Sequence, residues 1–366
     1  MKMNILFINS IQMWGGGEVW LMDIMHGLQS HGHSVFLLCR PNTELAQNAK
    51  TNGFDVITMR IGGDFDPFVI WKTRTVMKEK KIDVICTNMD KELRFGGIAA
   101  KLAGVKGIVP SREIDYPLKN TLRYRFAYNI LATKIAVNSI ATQNTVLQSA
   151  PWFKKEKIKI IYKGISLEPY DVLPASNIRS EFNLSPDTRL VTFVGQLDER
   201  KGLYDLLEAW KSIHSQYKEV VLALAGKGPM QNYIEQFIKD NSLQSSVCML
   251  GFRTDIPSIL LQSSMLVLPS LWEGFGYVLV EAMAARMPTV ATRTSSIPEI
   301  VEHEKSGLLV PPRNAMQLAE AISSLLSDPE KAKKMGNYGR TLVEQKFTIG
   351  TMIDEFEKLF QSTLQK

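Results

Sequence analysis

Short apolar runs alternate with amphipathic stretches along most of this chain. MNILFIN is apolar, short and closed by turn residues, the pattern of a strand. GGGEVWLMDIMHGLQSHG opens as a glycine loop and continues as a helix to Gly32. HSVFLLC, IDVICTN, GIVPS, ATKIAVNS and KIKIIYKG repeat the strand pattern, with GGIAAKLAG among the intervening helices. Another helix is predicted over Pro67–Lys80, with Asp66 as N-cap and Pro67 as the first helical residue. Strands that alternate with helices imply a parallel sheet covered on both faces.

A loop containing Pro169 and Pro174 interrupts the pattern, which then restarts. LVTFVGQL, VVLALAG, VCMLGF, MLVLPS and TVAT read as strands. GLYDLLEAWKSIHSQ, PMQNYIEQFIKD, Ile256–Gln262 and the second part of EGFGYVLVEAMAA read as helices, and the tail from Met316 is helical. At 366 residues the chain exceeds one ordinary core. The fold class expected is therefore α/β, with two Rossmann-like domains. The first is expected over residues 1–170 and the second over 171–345. A C-terminal helix over 346–366 is expected to pack back towards the first domain.

Composition narrows the class. The chain is 45% apolar and 22% charged, as in globular proteins. Cys39, Cys86 and Cys248 lie far apart in apolar runs, with neither metal-ligand nor disulfide spacing, which favours a reducing compartment. The N-terminal run is too short for a signal sequence, and no apolar run approaches the roughly 18 residues of a membrane helix. A cytoplasmic protein is expected. Charge is uneven: residues 1–170 carry 23 Lys+Arg against 14 Asp+Glu, and residues 171–366 carry 20 against 23. The basic half suits nucleic acid, an anionic membrane or a phosphorylated substrate, and equally a solvated surface.

Four loops could carry chemistry. In PSLWEGFGYVLVEAMAA a strand ends, glycines loosen a loop, and a helix begins near Gly276 with its free N–H groups outward. Glu281 lies among Val278, Leu279, Val280, Ala282, Met283 and Ala284. A carboxylate there needs a partner, either a ligand diol or a buried arginine. Lys201 precedes Gly202 in VGQLDERKG, where it would neutralise phosphate or stand as an exposed loop lysine. AGKGP and WGGGE are further strand–glycine–helix turns, and neither fits GxGxxG. Asp64-Phe65-Asp66 imitates a metal-binding DxD but reads better as a helix cap.

Taken in order, these segments resemble the retaining glycosyltransferases of GT-B fold, specifically family 4. GGGE, IDVICTN, VGQLDERKG, LALAGKGP and LGFRTD contribute, and the E-x7-E from Glu273 to Glu281 with downstream PEIV and GLLVPP is specific. The resemblance covers nearly the whole length. It implies two Rossmann-like domains facing across a cleft, with a nucleotide diphosphate sugar as donor substrate. It implies that Glu281 holds the ribose, that Glu273 contacts the transferred sugar, and that Phe275 and Gly276 meet sugar and diphosphate. Lys201 matches the diphosphate lysine, and Gly251-Phe252-Arg253 the turn beside the base. Gly15 and Gly16 would close over phosphates and acceptor.

Departures from the family pattern stand out. Gln196 replaces the customary arginine, so Arg200 or Lys227 would have to supply the second cation. Arg112 and Glu113 stand where many members carry a histidine. Arg112 would bind an acceptor phosphate or stabilise leaving charge, or else pair with Glu113 or Asp115. The resemblance also implies no metal, no further cofactor, no nucleic acid, and a glycan or lipid-linked acceptor in cell-surface polysaccharide or lipopolysaccharide assembly. A nucleotide-sugar epimerase of the same fold and a binding-only member are the alternatives. Lys119–Phe126 and Trp152–Lys157 mix cations with aromatics, which suits peripheral contact with an anionic membrane or, alternatively, core aromatics beside solvated lysines.

Overall fold

The computed structural model describes residues 1–365. It contains two compact units, one of Met1–Gly164 joined by the segment from Ile349 onward, the other Ile165–Thr348. The division thus falls at Gly164, slightly before the expected residue 170, and the tail leaves the second unit at Ile349.

The first unit is built on seven strands: β1 (Asn4–Asn9), β2 (Ser34–Cys39), β3 (Asp55–Thr58), β4 (Val84–Thr87), β5 (Gly107–Arg112), β6 (Ile135–Val137) and β7 (Ile158–Ile160). All pair in parallel, in the order β3-β2-β1-β4-β5-β6-β7. Side chains alternate across a strand, so β1 feeds two cores. Ile5 and Phe7 join Trp20, Leu21 and Leu37 on one face. Leu6 and Ile8 join Ile85, Phe95 and Ile108 on the other. The C-terminal helix Ile349–Leu364 lays Phe356 and Phe360 into the first of these cores, with Phe356 edge-on to Trp20 at 5.8 Å between ring centres. Each such ring stabilises by about 1.5–3 kcal/mol through burial.

The second unit has six strands: β8 (Arg189–Val194), β9 (Val220–Ala225), β10 (Val247–Gly251), β11 (Met265–Leu268), β12 (Thr289–Thr292) and β13 (Gly307–Val310). They too are parallel, in the order β10-β9-β8-β11-β12-β13. Strands β3 and β13 escape the sequence reading. Each is only four residues long, and β13 closes the end of its sheet. The basic stretch 119–126 is helical only over Leu122–Arg125, and continues as a π-helical turn over Phe126–Leu131. Asp66 does cap the helix Pro67–Glu79, accepting from the N–H groups of Phe68 and Val69.

In both sheets the direction of winding reverses once. The reversal lies between β1 and β4 in one unit, and between β8 and β11 in the other. Loops leaving the carboxyl ends of such neighbours diverge and leave a crevice, the usual ligand position in open α/β sheets.

Candidate active site

The loops after β8 and β11 meet at the crevice of the second unit. Lys201 Nζ lies 2.5 Å from Glu273 Oε1, and the Ser270 hydroxyl donates to the same oxygen at 2.7 Å. Glu273 is 7% exposed, so this pair is partly withdrawn from water. Gly202 fixes the lysine loop. Its φ is +66°, and a Cβ there would sit 2.0 Å from the Pro269 carbonyl oxygen. The lysine loop therefore rests on the end of β11 through the one residue that has no side chain.

Gly276, with φ +81°, begins the helix Tyr277–Ala284 that carries Glu281. The arginine envisaged from sequence as a partner for Glu281 is not there. The hydroxyl of Tyr170 donates to Glu281 Oε1 at 3.0 Å instead. Burial pushes the Glu281 carboxyl up to about 7, with the Tyr170 hydroxyl pulling it down.

A pocket of about 400 Å³ follows the ends of β8, β9 and β10, lined by Gln196, Lys227, Phe252 and Arg253 among others. That is room for a small ligand or part of a larger one. Gln196 and Lys227 are exposed there. Arg253 is committed: its guanidinium donates to both oxygens of Asp255, at 2.8 and 2.7 Å, and to Glu181 at 2.5 Å. It braces the pocket wall through these ion pairs. Arg200 lies 2.7 Å from Asp198 and its guanidinium lies over the Trp272 ring. Phe275 is buried edge-on to Phe347.

In the first unit the crevice lies where β1, β4 and β5 end. A pocket of about 620 Å³ is lined there by Glu18, Asp90, Arg112, Glu113, Tyr116 and Lys163, among others. Arg112 pairs with Asp90 at 3.1 Å and donates to the Tyr128 hydroxyl at 2.9 Å and the Tyr116 carbonyl at 2.8 Å. Neither Glu113 nor Asp115 is its partner, contrary to the alternative raised from sequence. Glu113 instead accepts from Ser111 and faces Lys163 at 3.3 Å. Arg112 Nε is buried with no hydrogen-bond partner in the described chain.

Gly15 precedes the helix Gly16–Ser30, whose first N–H groups lack intrahelical acceptors. A Cβ at Gly16 would meet nothing within 4 Å, so the fold does not require glycine there. Gly16→Ala should therefore leave the melting temperature equal or slightly raised, since alanine favours a helix by about 1 kcal/mol. If the turn closes on substrate, the same change should lower turnover. Thermal melts beside initial rates check both.

Sequence reasoning missed Glu92. Fully buried, it accepts from the N–H and hydroxyl of Ser10, at 2.5 and 2.8 Å, and from the N–H groups of Asn88 and Met89, at 2.8 and 2.9 Å. It thus stitches the loop after β1 to the loop after β4. The usual serine or threonine three residues earlier would have signalled it, but Met89 stands there. Burial lifts its carboxyl to about 7 against those four bonds. A folded pKa above the unfolded one means the folded protein binds the proton more tightly. Glu92 therefore adds stability on acidification that is lost as pH rises through about 7. Glu92→Gln should remove that part of the slope of melting temperature between about pH 4.5 and 7.

Two further sequence candidates are structural. Asp64 binds Arg94 at 2.7 Å, and Phe153 is buried in the core. Among the described residues no group of three or more His, Cys, Asp and Glu is placed to hold a metal ion. No helix there is long and apolar enough to cross a membrane.

The family models decide the class. The model for glycosyl transferases group 1 matches residues 175–342, and that for glycosyltransferase family 4 matches residues 14–169. The chain belongs to the group 1 glycosyltransferases. Its two parallel-sheet units are the Rossmann-like domains of the GT-B fold. An uncharacterized glycosyltransferase of Methanocaldococcus jannaschii is 28% identical over 58% of this chain and 55% of its own length. The match thus spans little more than half of that relative. The Escherichia coli UDP-Gal:alpha-D-GlcNAc-diphosphoundecaprenol alpha-1,3-galactosyltransferase is 26% identical over 78% of this chain and 76% of its own. Among solved structures, Anabaena HepE in complex with UDP-glucose is 25% identical, with TM-score 0.81, covering 98% of this chain and 100% of that one.

Proposed function

We propose that the protein transfers a hexose-type sugar, with retention, from a nucleoside diphosphate sugar to a glycan or lipid-linked acceptor in cell-surface polysaccharide or lipopolysaccharide assembly. One observation carries this reading most: Lys201 and Glu273 meet at the crevice of the second sheet, beside the helix that begins at Gly276. Lys201 supplies a cation for the diphosphate, and Glu273 holds that cation in place until donor enters. The nearby helix N-terminus adds N–H groups for the same charge. The bond from anomeric carbon to diphosphate oxygen breaks while the acceptor oxygen bonds that carbon on the same face. The acceptor proton passes to the departing phosphate oxygen. The protein's part is electrostatic and needs no metal when its own cations suffice. Family membership and the complex of HepE with UDP-glucose support a uridine nucleotide as the first donor to test.

The acceptor reading rests on the first unit's pocket, where Arg112, Lys163 and Lys119 offer positive charge to a phosphate. The epimerase alternative is not favoured, because no histidine lines either pocket described here. His31 and His33 instead flank Glu357 on the C-terminal helix. A membrane contact also belongs to this proposal. Leu122, Phe126 and Ile130 recur every fourth residue at 84%, 39% and 61% exposure, beside Arg123 and Arg125.

A thermal-shift screen with UDP, GDP, ADP and their sugars tests the donor reading. One nucleotide should raise the melting temperature, and none doing so at millimolar concentration would contradict it. Flotation with anionic vesicles at low salt tests the surface; failure to float would remove the membrane contact.

A further inference from the structure

The short segment that follows Gly164 reaches the donor crevice of its own unit. It contains the turn Glu168–Tyr170, in which Pro169 restricts the backbone. Tyr170 is 5% exposed, and its hydroxyl donates to Glu281 Oε1 at 3.0 Å. The next residue is anchored as well. Asp171 accepts from Arg340 at 2.7 Å and from Arg286 at 3.2 Å. Arg340, 7% exposed, also donates to the carbonyl of Ala284 at 2.9 Å. Ala284 ends the helix that carries Glu281. The Tyr170–Asp171 turn is therefore fastened to that helix at two places, one of them the carboxylate itself.

We propose that Tyr170 is a positioning residue of the donor site, which orients the Glu281 carboxylate towards the two ribose hydroxyls of the nucleotide. This rests on the reading of Glu281 as the ribose-binding residue. A carboxylate has about four acceptor positions. Tyr170 fills one on Oε1 and fixes the plane of the group, which leaves Oε2 and the second position on Oε1 for a vicinal diol. The hydroxyl also favours the ionised carboxylate, the form that accepts from a diol. Few other charges face this group. Tyr277 lies one turn earlier on the same helix, and Asp171, Arg286, Arg340 and Glu344 are joined to one another by ion pairs. The helix Ile256–Leu261, packed against the turn, carries no charge.

The test is calorimetry on the full chain, with UDP and inorganic pyrophosphate as probes, from pH 6 to 9. Wild-type affinity for UDP should fall as pH drops through about 7, as Glu281 becomes protonated. Tyr170→Phe should weaken UDP about 5- to 10-fold at pH 7, less than the full value of a hydrogen bond to a charged group because that bond is already made before UDP binds. It should move the midpoint of the pH curve upward and leave pyrophosphate unchanged. With Glu281→Gln added, the losses should fall short of additive. Asp171→Asn loosens the same turn without removing the hydroxyl, so it should lower the melting temperature and leave the midpoint in place. UDP affinity unchanged in Tyr170→Phe, a loss equal for both probes, or a midpoint moved equally by Asp171→Asn would overturn the proposal. If Tyr170→Phe does not fold, a midpoint moved by Asp171→Asn alone overturns it, and an unmoved one supports it. A wild-type protein that binds pyrophosphate but not UDP would overturn the ribose reading, and this inference with it.

Discussion

Replacing Lys201 with alanine is expected to weaken nucleoside diphosphate binding by about one to two orders of magnitude and to abolish measurable transfer. A charge-assisted contact of this kind contributes about 1.5–3 kcal/mol, and 1.4 kcal/mol is tenfold in affinity. The pairing in the structure makes the loss larger than one missing contact. Glu273, 7% exposed, would keep only the Ser270 hydroxyl at 2.7 Å, and an uncompensated carboxylate would face the incoming phosphates. Gln196 would sharpen the dependence, because its neutral side chain stands where the resemblance implies a second cation. Titration with UDP, beside melting curves, separates the binding loss from any loss of fold. A Lys201→Ala protein with wild-type affinity would show that the diphosphate lies elsewhere.

Gly202→Ala should be strongly destabilising. Its left-handed backbone costs an alanine about 1–2 kcal/mol. Its new Cβ would stand 2.0 Å from the Pro269 carbonyl oxygen, a distance that only backbone movement can relieve. A total of about 3 kcal/mol or more is expected. For a unit of this size that is roughly 6–12 °C in melting temperature. The movement would also shift Lys201, the preceding residue, so nucleotide binding should fall in the protein that remains folded. Gly16→Ala is the contrast, because open space surrounds that position.

Local patterns made much of the fold legible. The strand and helix alternation of β1, β2 and β8 follows from apolar runs bounded by glycine turns. Asp66 announced its helix because an N-cap works over three residues. Glu281 was legible in part. Its apolar neighbours showed that the carboxylate needed a partner, but not that the partner would be Tyr170, which is 111 residues away. The Lys201–Glu273 pair spans 72 residues and depends on β8 and β11 being neighbours, a matter of sheet order rather than local sequence. Glu92 bridges two loops through backbone N–H groups, and backbone donors leave no signature in residue identity. Arg112 was singled out, yet its partners Asp90 and Tyr128 come from other elements. The aromatics of Trp152-Phe153 leave two readings open in the sequence because a membrane face and a core use the same residues; the burial of Phe153 assigns that ring to the core.

Calorimetric titration of UDP into wild-type, Lys201→Ala and Glu281→Ala proteins tests the central claim most directly. One nucleotide should bind per wild-type chain, with both variants folded and both markedly weaker. Equal affinity in all three proteins would place the nucleotide elsewhere and contradict this account of the site.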